Sequence, residues 1–279
     1  GSNKSDEVAF SEPGWFDDWH GESVLVGKNI GRKSEKAIMA LFVPMRRFDP
    51  AKPEMMDLPG NDPALLAEDL KNLRTINRYF GGFDAVAKTI LPFFRSVASD
   101  KTVEILDLAT GSADHPVEIA RIAEKLGRRV HIVAVDRNPQ ILEIARRRTQ
   151  GIPEIEVARK DLLQLDFTDG SFDIVLCSLA LHHFSRQDAV GILTEMNRIC
   201  RIGFIVNELN RSWIAACTAW VYTHVTTRNP LTLNDSYASV LRAFTPGELQ
   251  EMAVEAGIKK FDITIRPFFR LILAGTVSR

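Results

Sequence analysis

Cysteine is scarce and unpaired. Three residues in 279, Cys177, Cys200 and Cys217, stand far apart with no C-x-x-C among them. That argues against a disulfide framework or a cysteine zinc site and predicts buried, reduced thiols. No other cluster in the sequence points to a metal. An excess of one charge is also missing. The chain has 35 Lys and Arg against 36 Asp and Glu, a formal net charge of -1, so it offers no electrostatic footprint for nucleic acid. Long apolar runs are absent: the longest early one, residues 37–43, is far below the ~20 needed to span a bilayer. With no membrane insertion and no convincing export signal, the expectation is a cytoplasmic enzyme. The three glycines of G-x-G-x-x-G are lacking too. Where they would stand the chain reads Ala109, Gly111 and Ala113, a poor cradle for a pyrophosphate, which leaves a nicotinamide reductase a distant reading.

What is present is alternation. Residues 1–60 are hard to read: Trp15, Phe16 and Trp19 cluster early, a short helix is expected over 34–43, and the rest forms an arm suited to packing on the main domain or on a second copy in a homodimer. Asp62-Pro63 opens a helix with a stripe of Leu66, Leu70, Leu73, Ile76 and Phe80, stopped at Gly81-Gly82. A second follows through Val86, Ile90, Phe94 and Val97, expected to kink near Pro92. Neither helix can bury its stripe alone, so residues 61–100 read as a cap. From 101 to 279 strand and helix alternate. Strands are expected over 103–108, 130–136, 154–158, 172–178 and 203–209. Between them come a helix capped by Asp114, with Val117, Ala120, Ala123 and Leu126 inward, one opened by Asn138-Pro139, and one with Ala189, Ile192, Leu193, Met196 and Ile199 on one side. Such alternation gives right-handed crossovers and a doubly wound α/β sheet. An insertion at about 210–245 reads as a helix over 213–226, a loop over 227–236 and a short helical or extended piece. A Thr245 to Glu248 capping box then starts another helix. The last two strands, over 261–265 and 268–276, are too close for a crossover and must form an antiparallel hairpin.

The chemistry concentrates where strands end. Asp107 puts a carboxylate just before the small-residue turn of Thr110, Gly111 and Ser112, which suits a ligand with a positive group, such as an amino acid. Free amides at a helix start attract anionic groups. Asp136 follows Gly111 by twenty-five residues, near the spacing at which a carboxylate meets ribose hydroxyls. Asp161, Leu162 and Ser178 also fall at or just past strand ends, where ligands of open α/β sheets bind.

The stretch D-L-A-T-G-S-A-D, with Asp136, Asp161-Leu162 and the strand at Phe172 in order behind it, resembles class I S-adenosylmethionine-dependent methyltransferases, in particular the small-molecule group that includes quinone-biosynthesis enzymes. Those enzymes show D-x-G-x-G-x-G, from which Ala109 and Ala113 depart. The resemblance implies a seven-stranded, mostly parallel Rossmann-like sheet ending in the hairpin, and S-adenosylmethionine as cofactor. It implies that Asp107 holds the amino-acid part with 109–113 passing close to it, that Asp136 takes the ribose, and that Arg137 covers the adenine while Asp161 and the Leu162 amide bond to its edge. It places residues 178–184 beside the methyl group, so that His183 or His182 is positioned to remove a proton from the acceptor. Asn207, Glu208 and His224 are weaker candidates. The acceptor expected is a small phenolic, quinone-like or polyketide molecule, methylated on oxygen ahead of carbon. Its pocket should be roofed by the first helical pair and by the aromatics Trp213, Trp220, Tyr222, Tyr237 and Phe244. The alternative is a protein of the same fold that binds the cofactor without methylating.

Overall fold

The computed structural model describes residues 43–277; Trp15, Phe16, Trp19 and nearly all of the helix expected over 34–43 lie outside the described residues. Seven strands form one sheet: β1 Val103–Leu108, β2 Val130–Asp136, β3 Ile155–Arg159, β4 Phe172–Ser178, β5 Cys200–Leu209, β6 Phe261–Arg266 and β7 Arg270–Thr276. Their order is β3-β2-β1-β4-β5-β7-β6. The first five run parallel, and β7 lies antiparallel to both neighbours. This is the doubly wound sheet with a closing hairpin that the alternation predicts.

Helices cover both faces. On one side α2, Gly82–Ser96, and α3, Asp114–Lys125, pack Val86, Ile90, Phe94 and Ile119 on Ile105, Ile132, Ile174 and Leu176. On the other, α5, Arg186–Ile199, and α8, Pro246–Glu255, set Ile192, Leu193, Met196 and Leu249 against Leu106, Val135, Val175 and Phe204. Each such buried aliphatic side chain contributes about 1.5 to 3 kcal/mol. The hairpin fits beside β5 because Gly275 leaves room for Phe204: a Cβ there would lie 2.3 Å from the Phe204 ring.

Above the carboxyl ends of the strands lie α1, Pro63–Tyr79, α6, Trp213–Thr226, and α7, Pro230–Arg242. The Asn72 amide donates to Thr227 and Thr232, the Thr232 hydroxyl donates to buried Asp69, and the Asn229 amide donates to the Leu65 carbonyl, so α1 and α7 form one lid. Completing the set, α4, Pro139–Thr149, is capped by Asn138 as expected, and Thr245 and Glu248 form their capping box.

Several local readings need correcting. The α3 N-cap is Ala113, in the left-handed region at φ 55°, and Asp114 is the first helical residue, paired with Arg148 and Arg74. The buried face of α3 is His115, Pro116, Ile119 and Ala123, while Leu126 is half exposed. The segment read as a loop over 227–236 is mostly helix, because Asn229 caps α7 by accepting from the Leu231 and Thr232 amides. β5 begins three residues earlier than expected, at Cys200. Cys177 and Cys200 are buried, but Cys217 is exposed.

Candidate active site

A cleft opens over the carboxyl ends of β1, β2, β4 and β5, under α1, α6 and α7. Its floor begins at Asp107, the end of a strand otherwise fully apolar toward the core. The Thr110 hydroxyl donates to its Oδ2 at 2.5 Å. Burial, with Asp136 and Asp114 nearby, pushes the Asp107 carboxyl up to about 7 despite that bond. A buried carboxyl at the mouth of a cleft is suited to a cationic ligand group, which would replace the lost water.

The turn after β1 adopts left-handed backbone at Ala109, Gly111 and Ala113, with φ of 51°, 57° and 55°. The two alanines therefore stand in the conformation that glycine enters most easily, and each bears strain of about 1 to 2 kcal/mol for its methyl group. Leu179, Phe268 and Phe269 are the other left-handed residues besides glycines among the described residues. All three line the cleft, as does Ala109, so the strained backbone gathers at the site. Asp136 binds the same turn: its Oδ2 accepts from the Gly111 amide at 3.1 Å and its Oδ1 from the Asn138 amide at 2.9 Å. Burial raises its carboxyl from the ordinary range.

The cleft also brings together Thr110, Ser112, Arg137, Asp161, Leu162 and Ser178. Arg137 is half exposed, 3.6 Å from Asp57. Asp161 accepts from the Leu163 amide at 3.0 Å and so shapes its own turn, while Leu162 is buried. The Ser178 hydroxyl is a relay: it accepts from the Asn207 amide and lies 2.9 Å from His115 Nε2. Burial, with Arg270 adding to it, drops His115 to about 3, so its ring is neutral. His115 did not emerge from the sequence, although its place in the first turn after the small-residue loop is a signal.

At the far end stand His182 and His183, in a 3-10 turn Leu181–His183, with ring centroids 4.4 Å apart. His182 Nδ1 lies 2.8 Å from Glu208 Oε2, and Glu208 also accepts from the Leu181 amide at 2.7 Å. Glu208 is fully buried. Burial alone would raise its carboxyl, but His182, the Leu209 amide and His183 together outweigh it and hold Glu208 below the ordinary range. His183 Nδ1 lies 2.8 Å from Asp57 Oδ2. Burial opposes charge on this ring, yet Glu54 and Asp57 together lift it to about 9. Glu54 and Asp57 were missed; Glu54 precedes and Asp57 ends a short 3-10 turn, Met55–Asp57, that reaches the site only through the fold. Asp235 fixes this turn by accepting from the Met55 and Met56 amides at 2.8 and 2.9 Å.

Of the expected roof aromatics, Tyr222 alone lines the cleft. Phe244 is buried in the core, Tyr237 packs in a satellite cluster with Leu209, and Trp220 stacks on His224 while half exposed. His224 is therefore outside the site.

The strand order and closing hairpin give the fold found in solved S-adenosylmethionine-dependent methyltransferases. Residues 105–203 match the family model described as a methyltransferase domain. A curated relative is the demethylmenaquinone methyltransferase of Staphylococcus saprophyticus, 27% identical over 107 residues, or 38% of this chain and 44% of that protein. The chain thus matches less than half the length of that relative. A similar solved structure is an S-adenosylmethionine-dependent methyltransferase from Aquifex aeolicus, with TM-score 0.53, 13% identity, and coverage of 83% of this chain and 100% of that one. The CurJ carbon methyltransferase aligns with TM-score 0.59 at 11% identity, over 78% of this chain and 61% of that one. Among the described residues no helix is long and apolar enough to cross a membrane.

Proposed function

We propose that this chain binds S-adenosylmethionine along the β1 and β2 ends and transfers its methyl group to a small, largely apolar acceptor. The observation that carries the reading is the linked pair of carboxylates, Asp107 and Asp136, held on either side of the left-handed turn at Gly111. In this reading Asp107 takes the ammonium of the amino-acid part, the 109–113 turn passes close to it, and Asp136 takes the ribose hydroxyls. Arg137, Asp161 and the Leu162 amide border the adenine, and Ser178 closes the methyl end.

The acceptor then occupies the end lined by His182, His183, Leu209, Ala215, Ala219 and Tyr222. Its lining joins these apolar side chains to the histidines, their carboxylates and a few hydroxyls such as Thr218, Thr223 and Ser239, a balance that supports a flat aromatic or polyketide-like acceptor over a highly charged one. Ionising the acceptor falls to His182, while His183, lifted to about 9 and so carrying its proton near neutral pH, holds the acceptor's oxygen. The methyl donor is already activated, so alignment in a closed cleft supplies much of the acceleration. With a methionine-labelled donor and a metabolite extract, one small molecule should gain the labelled methyl group. Calorimetry should show binding of both donor and demethylated product. Donor binding without transfer to any acceptor would favour the cofactor-binding, non-methylating alternative; no donor binding would remove the proposal.

A further inference from the structure

His182, His183 and Glu54 come from segments that only the tertiary fold unites, and all three line the cleft. Each imidazole is held at Nδ1 by a carboxylate, Glu208 for His182 and Asp57 for His183, both at 2.8 Å. That leaves both Nε2 atoms turned toward Glu54, whose Oε1 lies 3.7 Å from His182 Nε2 and whose Oε2 lies 3.7 Å from His183 Nε2. We infer that these three side chains form a binding site for one divalent transition-metal ion, with His182 Nε2, His183 Nε2 and the Glu54 carboxylate as its protein ligands.

The geometry fits the chemistry of such ions. Zinc binds imidazole nitrogen and carboxylate oxygen at roughly 2.0 to 2.2 Å, so donors around one ion lie ~3 to 4.4 Å apart. Both nitrogen-to-carboxylate separations fall inside that range. One atom from each residue can be chosen so that all three lie within 4.8 Å of one another, so closing on an ion needs only small side-chain adjustments. The outer partners are those a metal-bound histidine uses. A carboxylate on the second ring nitrogen fixes the tautomer, aims the free nitrogen and raises its donor strength. Here that arrangement occurs twice, side by side. Glu54 is itself fixed: the Ser239 hydroxyl donates to its Oε1 at 2.9 Å, and Arg242 lies 3.5 Å from the same oxygen. Glu54, Asp57 and Glu208 place three carboxylates around two rings, with Arg242 beside Glu54 and Arg137 beside Asp57 as the paired cations.

Two imidazoles and one carboxylate are borderline donors that suit zinc, iron, cobalt and manganese above magnesium or calcium. Three protein ligands leave coordination positions open toward the cleft. This consequence rests on the methyl-transfer reading: the open positions face the acceptor end, which selects acceptors with an oxygen able to bind the ion.

The test uses the full chain without a histidine tag, stripped with chelator and titrated with Co²⁺ and with Zn²⁺. The expected result is one equivalent bound with a dissociation constant of ~10 μM or tighter, visible Co²⁺ absorption bands, and a higher melting temperature with the ion. His183→Gln and Glu54→Gln should each weaken binding at least ~100-fold. Asp57→Asn should weaken it ~10 to 100-fold, the usual effect of removing an outer partner. No saturable binding by the folded parent at ~100 μM overturns the site, as does unchanged affinity in the folded His183→Gln and Glu54→Gln proteins. Circular dichroism and S-adenosyl cofactor affinity are measured on the same samples. Cofactor binding without Co²⁺ binding removes only the metal site, and the reverse removes only the proposed function.

Discussion

At the scale of single residues, Asp107 has two opposed effects. Its folded carboxyl titrates at about 7 against an ordinary 3.8, so the folded state holds a proton that the unfolded state has lost. Stability of the free protein should therefore fall as pH rises from about 4 to 7, by up to ~1.4 kcal/mol per unit, and stay low above that. Asp107→Asn removes this slope. Denaturant unfolding at a series of pH values should show the variant gaining on the parent across that window, while its cofactor affinity drops at least ~10-fold. Asp136 behaves differently because it already accepts two backbone amides. Asp136→Ala should weaken cofactor binding by ~1 to 3 kcal/mol and also lower stability without cofactor, since the Gly111 and Asn138 donors lose their partner. Calorimetry and a melting curve on one sample read both effects. The carboxylates at strand ends were legible because a charged residue closing an apolar run has little reason to be there except a ligand or a cap. His115, Glu54 and Asp57 were harder to see. Their roles depend on neighbours that are distant in sequence, such as Ser178 and His183, and only His115 had a local signal, its place just after the small-residue loop.

Among elements, strands were read best: β1, β2 and β4 end where their apolar runs end, since a strand buried on both faces tolerates little else. The first half of α7 was read as a loop although Asn229-Pro230 repeats the start signal of Asp62-Pro63 and Asn138-Pro139. Its first turns are polar because Thr232 and Asp235 spend their side chains on Asp69 and on the Met55 and Met56 amides. A polar face that is buried in this way looks like a loop from sequence. The fit of β7 on β5 is tighter than any pattern suggests. Gly275→Ala should cost ~1 to 3 kcal/mol, because its methyl group meets the Phe204 ring with the sheet closed around both. Urea unfolding checks this, and an unchanged midpoint would mean that the sheet relaxes there.

For the whole molecule, α6 and α7 line the cleft, but most of the aromatics expected to roof it do not. Residues 210–245 do lie over the cleft, but α6 faces it with Ala215, Thr218, Ala219 and Tyr222 and leaves Trp220 outside. The helix is apolar nearly all round, so its hydrophobicity could not say which side is inward. Tyr222→Ala should raise the acceptor KM by ~10-fold or more with the cofactor KM unchanged, and Trp220→Ala should leave both unchanged. Steady-state kinetics with each substrate varied separates the two.

The position of β7 also bears on how the chain reaches this state. β5 pairs along seven residues with a strand that follows it only after α6, α7, α8 and β6. Until that hairpin arrives, Phe204, Ile205 and Val206 sit on an open sheet edge, ready to pair with any extended chain nearby. Glu208, which orients His182, pairs with Leu271 in the same closure. Hiding the adhesive edge and completing the cleft thus rest on one pairing, so a variant that weakens the hairpin should be lost to aggregation before it can be seen as an impaired catalyst.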